Sequence, residues 1–537
     1  MSFDDNSRKK FIGGVAVLTA STAAVKIIGL FYKIPLIQLV GIDGMAYFLA
    51  AYHIYTLLFT LSNAGLPVAV SILVSKSIAD NDRSTAAQIY RVSLTLFTVI
   101  GAVSTAVLWF GADAIAESIE IPQASACIRA VSPALLLVSA GSAVKGYFQG
   151  LQNMKPTAVS QVIESVGKLG LGLLFTYRAI SQNLPLHLTA AYAISGLTAG
   201  VVISTAYLFI IKLSTQQRET IGSPVSLKSR TILRKLAAIS APITLGAAII
   251  SVTSLTDTAL ISSRLQSAGF SPSVANAMYS SYGNLAIPIF NLVPAFISPI
   301  ALSMAPMIAE AAQQGRRERE QELLSSSFRL CSLIALPASL GISVFGKEIL
   351  CLIFSDQAVA INIAAPLLSV LSPAIFFSCL ITVTNAALQA YGKANRPIIS
   401  MALGVSIKII SEFLLIGRPD VNILGAPIST LLCDLTIVIS NLYFIKKYTC
   451  GTERTASLFY RSLSAATIST VLVIPIAHVM SKQAISGAIM MMSVISLDVL
   501  IYLFTAAKLG AVTALDLEAL PKGEKLAKAL QKIKLLK

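Results

Sequence analysis

The sequence predicts an all-α polytopic membrane protein with fourteen transmembrane helices. Of its 537 residues, 55% are hydrophobic and only 12% are charged, whereas soluble domains carry about 25% charged residues. Apolar runs of about 20 residues, the length that crosses a bilayer as a helix, recur along the whole chain. The runs are continuous, whereas outer-membrane barrels have short segments of alternating polarity.

Short polar or basic connections separate the fourteen runs. The first run follows Arg8, Lys9 and Lys10 and continues to Leu39, which is longer than the apolar core of a secretory signal. We therefore interpret it as the first spanning helix. The runs cover residues 11–39, 44–73, 89–110, 128–148, 157–177, 186–211, 236–261, 276–305, 327–346, 361–390, 397–416, 423–445, 460–480 and 484–507.

The distribution of lysine and arginine predicts the orientation in the membrane. With a cytoplasmic N-terminus, the inner segments hold 31 of the 41 basic residues and the outer segments hold six. Such an excess is typical of cytoplasmic loops. We therefore expect a multi-pass protein of the cell membrane with both termini in the cytoplasm. Attraction to anionic headgroups accounts for the net charge of +16, and no nucleic-acid partner is needed.

Two parts of the sequence resemble each other at an offset of 240 residues. Gln149 then matches Gln389, and Lys168 matches Lys408. Six helices separate the matched positions, so the halves enter the membrane in the same direction as parallel repeats, with a substrate site between them. The predicted parts are an N-terminal lobe (1–211), a basic cytoplasmic linker (212–235), a C-terminal lobe (236–446), two further helices (447–508) and an amphipathic cytoplasmic tail (509–537).

No catalytic signature is present. The sequence lacks the phosphate-binding GxxxxGK[ST] pattern, HExxH and GxSxG, and its three histidines lie far apart. No polar segment is long enough to fold a nucleotide-binding domain, and the cysteines lack metal-ligand spacing. The sequence therefore predicts a transporter, not an enzyme, without cofactor or metal. An ion gradient, the membrane potential or the gradient of the substrate would drive it.

Charged residues inside the apolar runs are the candidate site. Lys26 and Lys33 lie seven residues apart on one face of the first run, where a lysine costs at least about 2.5 to 3.5 kcal/mol. They predict an anion site, or else lysines that snorkel or pair structurally. Two further pairs of charged residues have i, i+4 spacing, so the two members of each pair can neutralise each other. These pairs are Glu164 with Lys168 and Lys408 with Glu412.

Two carboxylates lie in apolar runs without a partner on the same helix, Asp257 in the seventh run and Asp434 in the twelfth. A carboxylate at this depth must protonate, bind a cation or pair with a base such as Lys408. Coupling to Na⁺ or H⁺ is one interpretation and structural pairing is the other. Arg264, seven residues after Asp257, can reach the cavity mouth or the outer headgroups.

The second run is rich in aromatic residues. Tyr47, Tyr52 and Tyr55 lie on it together with His53. Aromatic rings of this kind can form a sugar-binding wall, but they also serve as packing and interface residues. Packing is the favoured interpretation.

Several segments carry a resemblance to a known family. They are Ala24-Val-Lys-Ile-Ile-Gly-Leu-Phe31, Gly41-Ile-Asp-Gly-Met-Ala-Tyr47, Asn63-Ala-Gly-Leu-Pro67 and Ser75-Lys-Ser77. Together they resemble the polysaccharide-exporter branch of the multidrug, oligosaccharidyl-lipid and polysaccharide exporter superfamily. Within that branch, the likeness is to the stage V sporulation protein B group, which includes lipid II flippases. The resemblance extends over essentially the whole chain.

The resemblance implies two six-helix lobes packed into a V around a cationic cavity, with two extra helices that accommodate a lipid tail. In lipid II flippases, basic residues of the first helix meet the diphosphate of an undecaprenyl-linked sugar. Lys26 falls on the first of those positions, and Lys33 matches the second after a shift of one residue. The family's sodium site implies roles for Asp257 and Asp434, with Lys408 as an awkward neighbour.

We therefore expect a flippase for lipid II or a related undecaprenyl-diphosphate-linked precursor, in which Lys26, Lys33 and Arg264 hold the headgroup. The expected partners are this anionic lipid-linked oligosaccharide and anionic membrane lipids, and the transporter is expected to be a monomer. One alternative is a cation-coupled multidrug exporter of the same superfamily. Another is a scaffold for cell-wall or spore-coat assembly that transports nothing.

Overall fold

The computed structural model describes residues 5–80, 82–216, 229–354, 357–448, 455–481 and 487–511, and contains no strand within these ranges. This confirms the all-α prediction. In the first part the helices are α1 Asp5–Asn63, α2 Leu66–Ala79, α3 Arg83–Ser118, α4 Ser125–Val131, α5 Pro133–Gly150, α6 Lys155–Ser181, α7 Leu186–Gln216, α8 Ser229–Ser267 and α9 Pro272–Ser280. They continue as α10 Ile287–Gln313, α11 Arg317–Ile353, α12 Ala358–Ala390, α13 Asn395–Ile416, α14 Gly425–Tyr448, α15 Thr455–Ser481 and α16 Gly487–Lys508. A π-helical turn, Ser281–Ala286, joins α9 to α10.

The chain is a multi-span membrane protein. Among the described residues, twelve helical stretches are long and apolar enough to cross a bilayer. Large apolar side chains also face outward, including Phe110 at 84% exposure and Val359 at 76%. Soluble proteins rarely expose contiguous apolar surface on this scale, because water disfavours it. In a membrane, these side chains contact the hydrocarbon chains of the lipids.

The first two predicted helices are separated by a sharp bend within α1. Gly41 has φ 72° and ψ 175°, a backbone conformation that is essentially restricted to glycine because it lacks a Cβ. The bend falls between the predicted runs 11–39 and 44–73. The second run is itself interrupted after Asn63 and resumes at Leu66, with a proline in the first turn of α2.

The chain forms two compact units, Met1–Ser280 and Ser281–Lys537. In the first unit α6 packs against α7, α3 packs against α5, and α1 contacts both α6 and α8. In the second unit α12 packs against α10, α11 and α14, while α15 and α16 pack against each other and against α11. The lobe, linker and tail boundaries stay a prediction, and 217–228 and 512–537, in the linker and tail, lie outside the described residues.

Glycines let α6 and α7 meet backbone to backbone. A Cβ at Gly200 would lie 2.5 Å from the carbonyl oxygen of Glu164 and 2.8 Å from the backbone nitrogen of Lys168. A Cβ at Gly196 would overlap the backbone of Gly172. Small residues allow close approach of this kind between membrane helices. This contact fixes the position of the α6 turn that carries Glu164 and Lys168 relative to α7.

We predict that Gly200→Ala destabilises the protein, because the added methyl group collides with backbone atoms that cannot move away. Overpacking typically costs about 1 to 3 kcal/mol. Thermal unfolding of the purified protein, followed by circular dichroism in detergent, measures the effect.

Gly170→Ala is the matched control, since a Cβ at Gly170 on α6 meets nothing within 4 Å. We expect this variant to be neutral or slightly stabilising, as alanine is favoured over glycine within helices. Equal melting temperatures for the two variants would contradict the close contact between α6 and α7.

Candidate functional site

A group of charged and aromatic side chains lies inside the first unit, and we call it the cationic cluster. Its charged members come from three helices, with Lys33 on α1, Lys145 on α5, and Glu164 and Lys168 on α6. Its aromatic members are Tyr32, Tyr52 and Tyr55 of α1. Contacts of α1 with α5 and α6 bring these side chains together.

The Lys168 ammonium lies over two tyrosine rings. Its Nζ atom is 5.2 Å from the ring centroid of Tyr32 and 4.9 Å from that of Tyr52. The Tyr32 hydroxyl donates to the carbonyl oxygen of Ala193 at 3.1 Å, and the Tyr52 ring stacks on Phe48 at 6.3 Å between centroids. The rings are therefore held in place, and they stabilise the cation through their quadrupoles without cancelling its charge.

Glu164 forms its ion pair with another helix. Its Oε2 atom is 4.0 Å from Nζ of Lys145 on α5, and both side chains are largely buried. The sequence predicted a pair between Glu164 and Lys168 within one helix, and the structure differs. The reason is tertiary: α5 presents a lysine to Glu164, whereas the tyrosines of α1 occupy the surroundings of Lys168.

Lys33 is half-buried and lies within electrostatic range of Lys168. Among the described side chains, the cluster thus combines three lysines with one carboxylate. Lys26 lies on α1, but its side chain is outside the part of the chain that the structure describes. Arg264 lies half-buried in the last turn of α8.

The predicted pair of Lys408 and Glu412 is formed in the second unit. Lys408 Nζ is 3.7 Å from Glu412 Oε1, and the side chains are 5% and 0% exposed. Asp434, on the neighbouring helix α14, feels the charge of Lys408. The coupling interpretation and the structural interpretation of Asp434 both stay predictions. Asp257 is buried on α8 in the first unit, within range of Tyr279.

His53 belongs to a polar triad. Its Nδ1 atom is 2.8 Å from Thr258 Oγ1, which lies 2.9 Å from the Tyr279 hydroxyl. The same hydroxyl is 3.4 Å from His53 Nδ1. Thr258 and Tyr279 are fully buried, so the triad connects α1, α8 and α9 through their interior. This supports the packing interpretation of His53.

Lys212 is a buried cation that sequence reasoning assigned to the cytoplasmic linker. It lies on α7 at 3% exposure, and its Nζ atom is 3.9 Å from the Tyr147 ring centroid and 5.1 Å from that of Tyr90. The rings come from α5 and α3, so nothing near Lys212 in sequence points to this contact. The first unit therefore uses tyrosine pairs around lysine at two places.

The fold and the cluster define a multi-span helical membrane protein whose first unit holds more lysine than carboxylate in its cationic cluster. Residues 11–312, more than half of the chain, match the family described as polysaccharide biosynthesis protein. The chain belongs to this family. Residues 273–414 also match the family described as MatE. The resemblance to the polysaccharide-exporter branch of the superfamily is thereby confirmed.

Two relatives that match most of the chain come from Bacillus subtilis (strain 168). Stage V sporulation protein B is 26% identical over 428 residues, covering 79% of this chain and 81% of that protein. Lipid II flippase MurJ is 26% identical over 454 residues, covering 82% and 83%. A solved structure of lipid II flippase MurJ in an inward closed conformation is similar with a TM-score of 0.68 at 12% identity, covering 92% of this chain and 98% of that one.

We predict that Lys408→Met strongly destabilises the protein, because it leaves the buried Glu412 carboxylate without this partner. Removing one member of a buried pair costs about 3 to 5 kcal/mol. The double variant Lys408→Met with Glu412→Leu should recover much of that loss, and thermal unfolding of the purified proteins measures the coupling.

Ser406→Ala, at an exposed position of the same helix, serves as the control and should melt like the parent. Additive losses in the double variant would show that the pair contributes no coupling energy.

Proposed function

We propose that the protein is a flippase that moves an undecaprenyl-diphosphate-linked sugar precursor, lipid II or a related cell-envelope intermediate, across the cytoplasmic membrane by alternating access. The observation that carries this proposal is the excess of lysine over carboxylate in the cationic cluster. Cations among spanning helices are costly and mark substrate pathways. An anionic headgroup passing beside them lowers that cost.

Lys33 and Lys168 are suited to hold a diphosphate. The two ammonium groups repel each other. A dianionic group between them attracts both, and these attractions outweigh the repulsion. Lysine binds phosphate as a point charge and not through a bidentate fork. Tyr32 and Tyr52 fix the position of Lys168 while leaving its charge available to the ligand.

The relatives favour the same chemistry. Lipid II flippase MurJ of Bacillus subtilis is similar over most of both chains, and the family name refers to polysaccharide biosynthesis. We extend the headgroup site to Lys26, which lies seven residues before Lys33 on the same helix, and to Arg264 at the outer end of α8. The protein would act without cofactor and would make no covalent bond.

Two further helical segments bring the proposed number of spans to fourteen. One is the part of α1 before Gly41, which overlaps the start of the first of the twelve stretches. The other is the helical run from Pro272 to Gln313, which lies outside them. With both termini cytoplasmic, basic residues of the linker and tail would contact anionic lipids. We propose that α15 and α16 accommodate the prenyl tail beside two lobes arranged as a V, in a monomeric transporter.

Asp257 and Asp434 are the proposed coupling residues for H⁺ or Na⁺. Both lie on spanning helices, and Lys408 near Asp434 competes with a metal cation for the carboxylate. Transport by Asp257→Asn and Asp434→Asn should lose its dependence on an imposed pH or sodium gradient. Delivery of lipid into proteoliposomes under each gradient measures this dependence.

Asp420→Asn, an exposed carboxylate outside the helices, is the control and should respond to gradients as the parent does. If both aspartate variants respond like the parent to every gradient, neither residue couples transport to an ion.

We predict that Lys168→Met slows the delivery of labelled lipid II across proteoliposomes by about 10- to 100-fold. The estimate follows from the loss of one charge-assisted contact of about 1.5 to 3 kcal/mol. Lys168→Arg should retain part of the activity, since arginine also stacks on tyrosine rings.

Lys155→Met tests the specificity of the effect, because Lys155 is exposed at the start of the same helix. This variant should transport like the parent. Undiminished delivery by both Lys33→Met and Lys168→Met would refute the anion site. Export of cationic drugs without lipid delivery would assign the protein to drug efflux.

A further inference from the structure

A cavity of about 600 Å³ opens at the surface of the first unit, apart from the cationic cluster. Four segments of the chain form it. Tyr47 of α1 and Glu117 of α3 line it together with Gln266 of α8 and Asn276 of α9. The turn after α3 contributes Glu120, Pro122 and Gln123. Cavities of roughly 300 to 1,000 Å³ suit small organic groups.

The lining offers hydrogen-bond donors and acceptors in similar number. Gln123, Gln266 and Asn276 each present an amide that can do both, and the carboxylates of Glu117 and Glu120 accept. Each sugar hydroxyl both donates and accepts a hydrogen bond, so this mixture matches a sugar. The rings of Pro122 and Pro272 and the Tyr47 ring add apolar surface that suits the C–H face of a sugar ring.

The same lining disfavours anions and metal ions. Among the described residues it contains no lysine or arginine, and its two carboxylates repel a phosphate group. A metal ion would need a cluster of acidic, histidine or cysteine ligands, and no group of three such residues occurs in the described ranges. The cavity therefore differs in kind from the cationic cluster.

The inner wall of the cavity is rigidly built. Asn276 is only 6% exposed, and its Oδ1 atom accepts a hydrogen bond from Ser262 Oγ at 3.2 Å. Gln266 Nε2 donates to the same hydroxyl at 3.1 Å. This chain orients both amides from α8 and α9 before any ligand arrives, which lowers the entropy cost of binding.

We propose that this cavity binds an uncharged sugar on the outer side of the membrane. Its segments lie after the Gly41 bend of α1 and at or after the ends of α3 and α8. These positions face outward when the termini are cytoplasmic, so the inference rests on the proposed function. In that setting, the diphosphate and the sugars of one headgroup are recognised at separate places. The cationic cluster holds the phosphates, and the outer cavity receives the sugar end after it has crossed.

The test uses the full chain in lipid nanodiscs with N,N′-diacetylchitobiose as the probe. We expect saturation-transfer NMR to detect binding, and Gln123→Ala or Glu117→Gln to weaken it about five-fold each through the loss of one hydrogen bond. Gln182→Ala, an exposed glutamine outside the lining, should bind like the parent. Unchanged melting temperatures establish that the variants are folded.

Competition identifies the ligand class. Inorganic diphosphate or free lysine that displaces the disaccharide would overturn the assignment to a neutral sugar, and so would equal binding by all variants. Absence of binding in a preparation that still delivers lipid II overturns this inference alone. If Lys168→Met delivers lipid II as fast as the parent, the proposed function is contradicted, but sugar binding in the cavity is not.

Chemical labelling of a lining residue tests on which side of the membrane the cavity opens. Ser273 lines it at an exposed position, so Ser273→Cys should react with a membrane-impermeant maleimide added outside intact cells, read by peptide mass spectrometry. The disaccharide should slow this reaction. Labelling that requires access from the cytoplasm would overturn the outer placement.

Discussion

The first unit depends on keeping positive charge among helices that are otherwise apolar. A carboxylate beside each lysine would be the simplest solution, but it would leave nothing for a ligand to bind. The structure pairs Glu164 with Lys145 and gives Lys168 two tyrosine rings instead. A ring quadrupole lowers the cost of a cation and keeps its full charge. The same device surrounds Lys212, so tyrosine serves as a neutral partner at two depths of the unit.

The position of this cluster depends on backbone contacts. Gly200 meets the α6 backbone at Glu164 and Lys168, and Gly172 lies against the hydroxyl of Tyr32. Any larger residue at these glycines would push α6 away from α7 or from α1. The positions of Glu164 and Lys168 therefore depend on close helix contacts at glycines. In the proposed mechanism, small changes in this packing would alter anion binding without touching a charged residue.

Several features followed from local patterns in the sequence. Run length and composition indicated spanning helices because each membrane helix must satisfy its own backbone hydrogen bonds, which makes the signal local. The predicted boundary between the first two runs, 39 to 44, coincides with the bend at Gly41. Lys408 and Glu412 formed the pair that their i, i+4 spacing on one helix predicts. The family resemblance rested on short segments of the same kind.

The sequence by itself determined the helical class, the family and the charges that lie at membrane depth. Only the tertiary structure decided which partner each charge took. Glu164 turned to Lys145, Lys168 to the tyrosines of α1, and His53 to Thr258 and Tyr279, because these partners lie on other helices. Periodicity places a residue on a face of its own helix, but the neighbour opposite that face is set by how the helices pack. The outer cavity, with walls from four segments, is likewise a product of packing alone.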